Sequence, residues 1–251
     1  MVAWVAGFVD AVGYLTLFGL FTAHMSGNTV DVGLALGSLN WASALFRFTP
    51  ILGFVLGVGL GAALLELTAR RGIKALVAVI LCAESLLLAA YAIGATFWLR
   101  QGAVWRPTNG AFYLLAALLT LAMGLQNTTL RRVGKQTIRT TYVTGMLTDT
   151  TIEAVKYLFW FGDRLRQPGA RRLKRLKRMF AVTPRQSSFN RSRALALIWV
   201  LYVVGAVAGT VGELRLGTLA LVAPVVVLLA IVGIDLWRPI YPDADAARQA
   251  K

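Results

Sequence analysis

The sequence predicts an all-α protein, a polytopic bundle of transmembrane helices, and three observations carry that prediction. The 251 residues are 57% hydrophobic and 15% charged, with a mean hydropathy of +0.66. A soluble domain of this size needs more polar surface. The apolar residues gather in runs of about 20, the length a helix needs to cross a bilayer. Strand-like alternation is absent, so a β-barrel is not expected.

Six full spans are expected: Val2–Phe21, Phe48–Leu67, Ala75–Ala95, Ala111–Thr128, Ala194–Gly212 and Thr218–Trp237. The first carries GFVD (7–10), with Asp10 in mid-span. It is followed by the polar run HMSGNTVD (24–31), which opens on the only histidine. The amphipathic stretch Asn28–Phe46 comes next, and then span 2 with Gly53, Gly57 and Gly61. Span 3 holds Glu84 and the lone Cys82, so no intrachain disulfide can form. Span 4 ends in GLQN (124–127). After it come the RRVGKQTIR cluster (131–139), a second polar run YVTGMLTD (142–149) and an amphipathic stretch, Met146–Phe161. Span 5 carries Gly205 and Gly209. The start MVAWVAGFVD, with no charge before Asp10, hints that a natural N-terminal tail is absent.

Eleven of the 26 basic residues lie between Arg164 and Arg193, with no acidic residue among them. The net charge of +15 therefore reads as an orientation signal and a contact for anionic lipid headgroups, not as a nucleic-acid surface. With six spans, ARRGIK (69–74), the basic stretch Arg131–Arg193 and the C-terminal tail share a side. The Lys and Arg excess makes that side cytoplasmic, with both termini on it. If Asn28–Phe46 and Met146–Phe161 crossed fully, the two basic clusters after span 4 would fall on opposite sides. Two short or interrupted helices, or interfacial ones, are expected there instead.

The halves resemble each other. Asp10 precedes Gly27 by 17 residues, and Asn127 precedes Gly145 by 18. Gly57 and Gly61 follow Gly27 by 30 and 34; Gly205 and Gly209 follow Gly145 by 60 and 64, and the 30-residue block Arg164–Arg193 makes up the difference. The expected organisation is a first membrane repeat, 1–110, and a second, 111–251, with the basic cytoplasmic loop 164–193 inserted. Three crossings per repeat is odd, so the second copy is inverted, a recurring transporter plan.

In this reading Gly27 and Gly145 break the chain and start new helices, whose free N–H groups suit a polar or anionic solute. Internal capping by Asp31 and Asp149 is the alternative. The candidate solute-binding residues are Asp10, His24, Ser26, Gly27, Asn28, Asp31, Asn127, Thr144, Gly145 and Asp149. Asp10 and Glu84, carboxyls within apolar helices, are the candidates for proton coupling, and Arg47 is placed to approach Asp31 or Asp10. Interhelical hydrogen bonding is the competing role for each. No enzyme signature is present: there is no HExxH, P-loop, GxSxG or CxxC. No metal site or cofactor is expected.

GFVDAVGYLTLFGLFTAHMSGNTV and GLQNTTLRRVGKQTIRTTYVTGMLTD resemble the YoaK-like family of bacterial inner-membrane proteins, a family of unknown function. The resemblance covers nearly the whole chain and implies a compact multi-pass protein of the bacterial inner membrane. It supplies no substrate or catalytic residue. The basic stretch Arg164–Arg193 is longer and more charged than the family pattern. The function expected is that of a small secondary transporter or permease for a small polar or anionic solute, with the site between the two interrupted-helix motifs. The alternative is a non-transporting scaffold or lipid-interacting protein. The expected partners are the bilayer, anionic headgroups at the basic loop and the solute, and a homo-oligomer is compatible with the sequence.

Overall fold

A computed structural model of the chain describes residues 1–73, 75–100, 110–130, 143–166 and 181–238. Among the described residues every regular element is helical and no strand occurs. In chain order the helices are α1 (Val2–Thr16), α2 (Met25–Gly37), α3 (Trp41–Arg70), α4 (Leu76–Arg100), α5 (Gly110–Leu130), α6 (Val143–Arg166), α7 (Ser187–Leu216) and α8 (Val222–Trp237). Short 3-10 turns occupy Thr183–Arg185 and Gly217–Leu221. The RRVGKQTIR cluster and most of the basic block, 167–180, lie outside the described residues.

Each of the six expected spans holds a helix, but not all have spanning length. Four stretches are long and apolar enough to cross a membrane: Trp41–Arg70, Val77–Trp98, Gly110–Thr129 and the 51-residue Ser187–Trp237, which contains both α7 and α8. α1, with 15 residues, rises only about 22 Å against a hydrocarbon core of about 30 Å. It stops at Thr16 because Phe18 (φ 53°) and Gly19 (φ 79°) take left-handed backbone, which turns the chain back.

α3 begins at Trp41, where Asn40 accepts a hydrogen bond from Ser43 N at 3.0 Å, a helix N-cap. Residues 41–46, read from sequence as the end of an amphipathic segment, therefore belong to the long helix. α6 runs unbroken for 24 residues, longer than the short half-helix expected.

The chain divides into two compact units: Met1–Thr141 with Tyr202–Lys251, and Tyr142–Leu201. In the first unit α1, α4, α5 and α8 share a core that includes Val5, Val9, Leu81, Leu88, Leu119 and Leu228. Large apolar side chains also cover the outside, among them Val55, Leu86, Ile93, Leu114 and Val226, as a lipid-facing surface requires.

Glycines set two close helix crossings. A methyl at Gly57 or Gly124 would collide with the backbone of Leu121 or Phe54, so α3 and α5 meet backbone to backbone. A methyl at Gly7 or Gly205 would collide with Tyr202 or Trp4, so α1 and the second part of α7 meet in the same way. Small residues permit this approach, and dispersion then replaces the hydrophobic driving force that lipid does not supply. In the second unit, α6 packs on the first part of α7 through Tyr157, whose ring lies 5.1 Å from that of Phe189.

Candidate functional site

Asp10 is held by four hydrogen bonds in the first unit. Its Oδ1 accepts hydrogen bonds from Thr22 N (2.8 Å), Thr22 Oγ1 (2.9 Å) and Ala23 N (3.0 Å). The Tyr202 hydroxyl donates to its Oδ2 at 2.7 Å. The left-handed turn at Phe18 and Gly19 returns residues 22–23 to α1, and Gly13 leaves room for the Thr22 methyl. A buried carboxylate with four donors is satisfied where it stands. It ties α1, the following loop and α7 together.

The first polar run divides into exposed and engaged residues. Asn28 is fully buried; its Nδ2 donates to Phe21 O (2.7 Å) and its Oδ1 accepts from Phe21 N (3.1 Å). Asp31, one of the two partners that the sequence suggests for Arg47, pairs with it, and both are about 30% exposed. His24 and Ser26 are exposed, and the His24 ring packs edge-on against Phe21 at 4.9 Å. Gly27 lies beneath that ring, within the first turn of a helix that has already begun at Met25.

Gly145 takes the equivalent place in α6, two residues after Val143. Thr144 is exposed, and Asp149 meets Arg191 at 3.6 Å. These residues belong to the second unit. In the first unit Asn127 donates from Nδ2 to Met123 O at 3.0 Å, a bond within α5.

Glu84 is the opposite of Asp10. It is fully buried in α4, and neither carboxyl oxygen has a hydrogen-bond partner among the described residues. In α5 the Gln126 Nε2 donates to Val2 O at 3.3 Å, while its Oε1 is buried without a partner among the described residues. A buried polar group without a partner is costly, and a carboxyl inside a membrane helix marks a site to test for function.

Two polar anchors were missed by sequence reasoning. Tyr202 sits in an apolar run with nothing to mark it as the partner of Asp10. Asp235, 1% exposed, accepts from Ala78 N at 2.8 Å and so caps the start of α4. Further cross-helix pairs are Thr16–Tyr91 (2.7 Å) and Thr96–Thr218 (2.9 Å). Among the described residues no group of three or more His, Cys, Asp or Glu comes together as metal ligands.

A family model described as "Protein of unknown function (DUF1275)" matches residues 1–234. The chain belongs to the DUF1275 family. Within it, the chain is 27% identical over 227 residues to the UPF0700 transmembrane protein YoaK of Bacillus subtilis (strain 168), which covers 90% of this chain and 88% of that relative. No solved structure matches. The family and the apolar helices together make this DUF1275 member a membrane protein, and the YoaK-like motifs read from the sequence are those that carry Asp10, Asn28 and Gly145.

Proposed function

We propose that this DUF1275 member is a small proton-linked permease for a polar or anionic solute, with Glu84 as the proton carrier. One observation carries the reading: Glu84 stands fully buried in a spanning helix with neither oxygen hydrogen-bonded among the described residues. A carboxyl held there is tolerated when it carries a proton, and loading and unloading that proton would supply the coupling.

His24 and Ser26, exposed at the head of α2, are the proposed solute contacts. Asp10 takes an anchoring role in this proposal, because its acceptor sites are filled by its own chain. The matched glycine crossings of α1 with α7 and of α3 with α5 support an inverted duplication, the plan on which many secondary transporters are built. The setting proposed is the bacterial inner membrane, with both termini cytoplasmic and the basic run Arg164–Arg193 resting on anionic headgroups.

The test uses the full chain in proteoliposomes loaded with a pH-sensitive dye. A panel of small carboxylates, phosphate and neutral polyols is added outside. The wild type is expected to move protons with at least one solute, and Glu84→Gln to lose that movement while keeping its fold. Proton movement unchanged in Glu84→Gln removes Glu84 from the mechanism.

A second reading, a scaffold without transport, is favoured by the internal engagement of Asp10, Asn28 and Asp31. Wild-type liposomes that stay silent to every solute would support it.

A further inference from the structure

The second unit is built the reverse of a water-soluble helix pair. In α6 the ion pairs turn toward α7: Asp149 reaches Arg191 at 3.6 Å, and the buried Glu153 meets Lys156 at 2.9 Å and Arg191 at 3.5 Å. Tyr157 bonds Thr183 at 2.8 Å, and the Ser192 hydroxyl donates to Thr150 O at 3.2 Å. Met146 is buried on the same face.

The opposite arc, about 140° wide at 100° per residue, carries Leu147, Ile152, Val155, Leu158 and Phe159, which are 44–71% exposed. No charged side chain interrupts it. The two threonines within it are spent internally: Thr148 donates to Thr144 O (2.9 Å) and Thr151 to Leu147 O (2.8 Å). The arc therefore offers water no free side-chain donor.

We infer that this arc lies against lipid acyl chains, with α6 standing in one leaflet and its C-terminal turn at the headgroups. Three observations point to lipid as the occupant. The apolar surface continues onto the exposed Leu197 and Val200 of α7, a helix of a stretch apolar enough to cross a membrane. From Leu147 to Phe159 the helix rises about 18 Å, more than half of a hydrocarbon core of about 30 Å.

The helix also ends in an interfacial signature. The Arg164 guanidinium lies over the Trp160 ring at 4.9 Å, and aromatic and basic side chains of this kind mark the membrane–water boundary. At the C-terminal end of the arc a groove of about 270 Å³ is lined by Leu158, Phe159, Gly162, Asp163 and Arg166. Its lining joins apolar to ionic side chains, as suits the junction of acyl chain and headgroup. The inference stands without any transport activity.

The full chain, with Cys82→Ser, is given single cysteines at Leu147, Thr151, Val155, Phe159 and Arg166. Each is spin-labelled in vesicles of neutral and anionic phospholipid. Thr148 and Ile152 stand in for any variant that fails to fold. At the arc positions, quenching by oxygen is expected to exceed quenching by a water-soluble nickel complex several-fold, with depth increasing from Phe159 toward Leu147. Arg166 should report water. Nickel access along the arc overturns the inference in favour of a solvated face. Protection from both reagents overturns it in favour of a second copy or another protein. A uniform shallow depth overturns it in favour of a helix lying flat.

Discussion

At the scale of single residues, two carboxyls that look alike in the sequence do different work. Asp10 and Glu84 each sit within an apolar helix, but Asp10 accepts from two backbone N–H groups and two hydroxyls, whereas Glu84 has no partner among the described residues. Asp10→Ala strands four donors: the N–H and the hydroxyl of Thr22, the Ala23 N–H and the Tyr202 hydroxyl. At about 1–3 kcal/mol each, the summed loss is expected to be on the order of 3 kcal/mol or more, read as a lower unfolding midpoint in detergent micelles. Tyr202→Phe removes one charge-assisted bond and should cost about 1.5 kcal/mol. Asp10→Asn keeps an acceptor for Thr22 and Ala23 and should fall between wild type and Asp10→Ala. Equal stability of all three variants would refute the anchor. That Asp10 matters was legible, because a mid-span carboxylate needs a reason. Its partners were not, since Tyr202 lies 192 residues away in a run whose composition says only "apolar". The same holds for Asp235 and Ala78, 157 residues apart.

At the scale of elements, the glycines of α3 separate packing from propensity within one helix. A Cβ at Gly57 would collide with Leu121 and Gly124, while at Gly59 nothing lies within 4 Å. Gly57→Ala should therefore destabilise by about 1–3 kcal/mol, the usual cost of overpacking. Gly59→Ala should stabilise by up to about 1 kcal/mol, the helix-propensity gain. Thermal unfolding of the pair in the same detergent checks both signs; a shared sign would show that the α3–α5 crossing does not depend on backbone contact at Gly57. The spacing of these glycines was readable as a small-residue face, but its partner helix was not. Helix existence was likewise legible from apolar runs, and the boundaries less so. The stop of α1 depends on two left-handed residues, one of them Phe18, a residue type that gives no turn signal. α6 carries Asp149, Glu153 and Lys156, which lower its hydropathy. Lys156 pairs with Glu153 inside the helix, and only the placement of Arg191 opposite Asp149 and Glu153 supplies the further cation on that face.

At the scale of the whole molecule, the question is whether two copies of one unit are threaded in opposite senses. The crossings bear on it atom by atom. A Cβ at Gly7 meets Tyr202 O and Ala206 N, and one at Gly124 meets Phe54 O and Val58 N; a Cβ at Gly205 meets Trp4, and one at Gly57 meets Leu121. The partners keep an offset of 117 residues between α1 and α5 and of 148 between α3 and α7. Each copy's glycine helix thus packs on the other copy's first helix, the exchange that a pseudo-twofold axis produces. An axis in the membrane plane requires α1 and α5 to run in opposite directions through the bilayer. Residues at the end of α1 and at the start of α5 must then face the same side, with the α3–α4 turn on the other. Single cysteines at Phe18, Arg71 and Gly110 in the Cys82→Ser chain make the comparison. A membrane-impermeant thiol reagent applied to right-side-out vesicles should label Phe18→Cys and Gly110→Cys and spare Arg71→Cys, which becomes reactive when the vesicles are opened. The basic ARRGIK turn fixes which side is protected. If Phe18→Cys and Gly110→Cys are labelled from different sides, α1 and α5 run in parallel. Duplication would then survive through the glycine offsets, but the inversion, and the transporter plan that depends on it, would not.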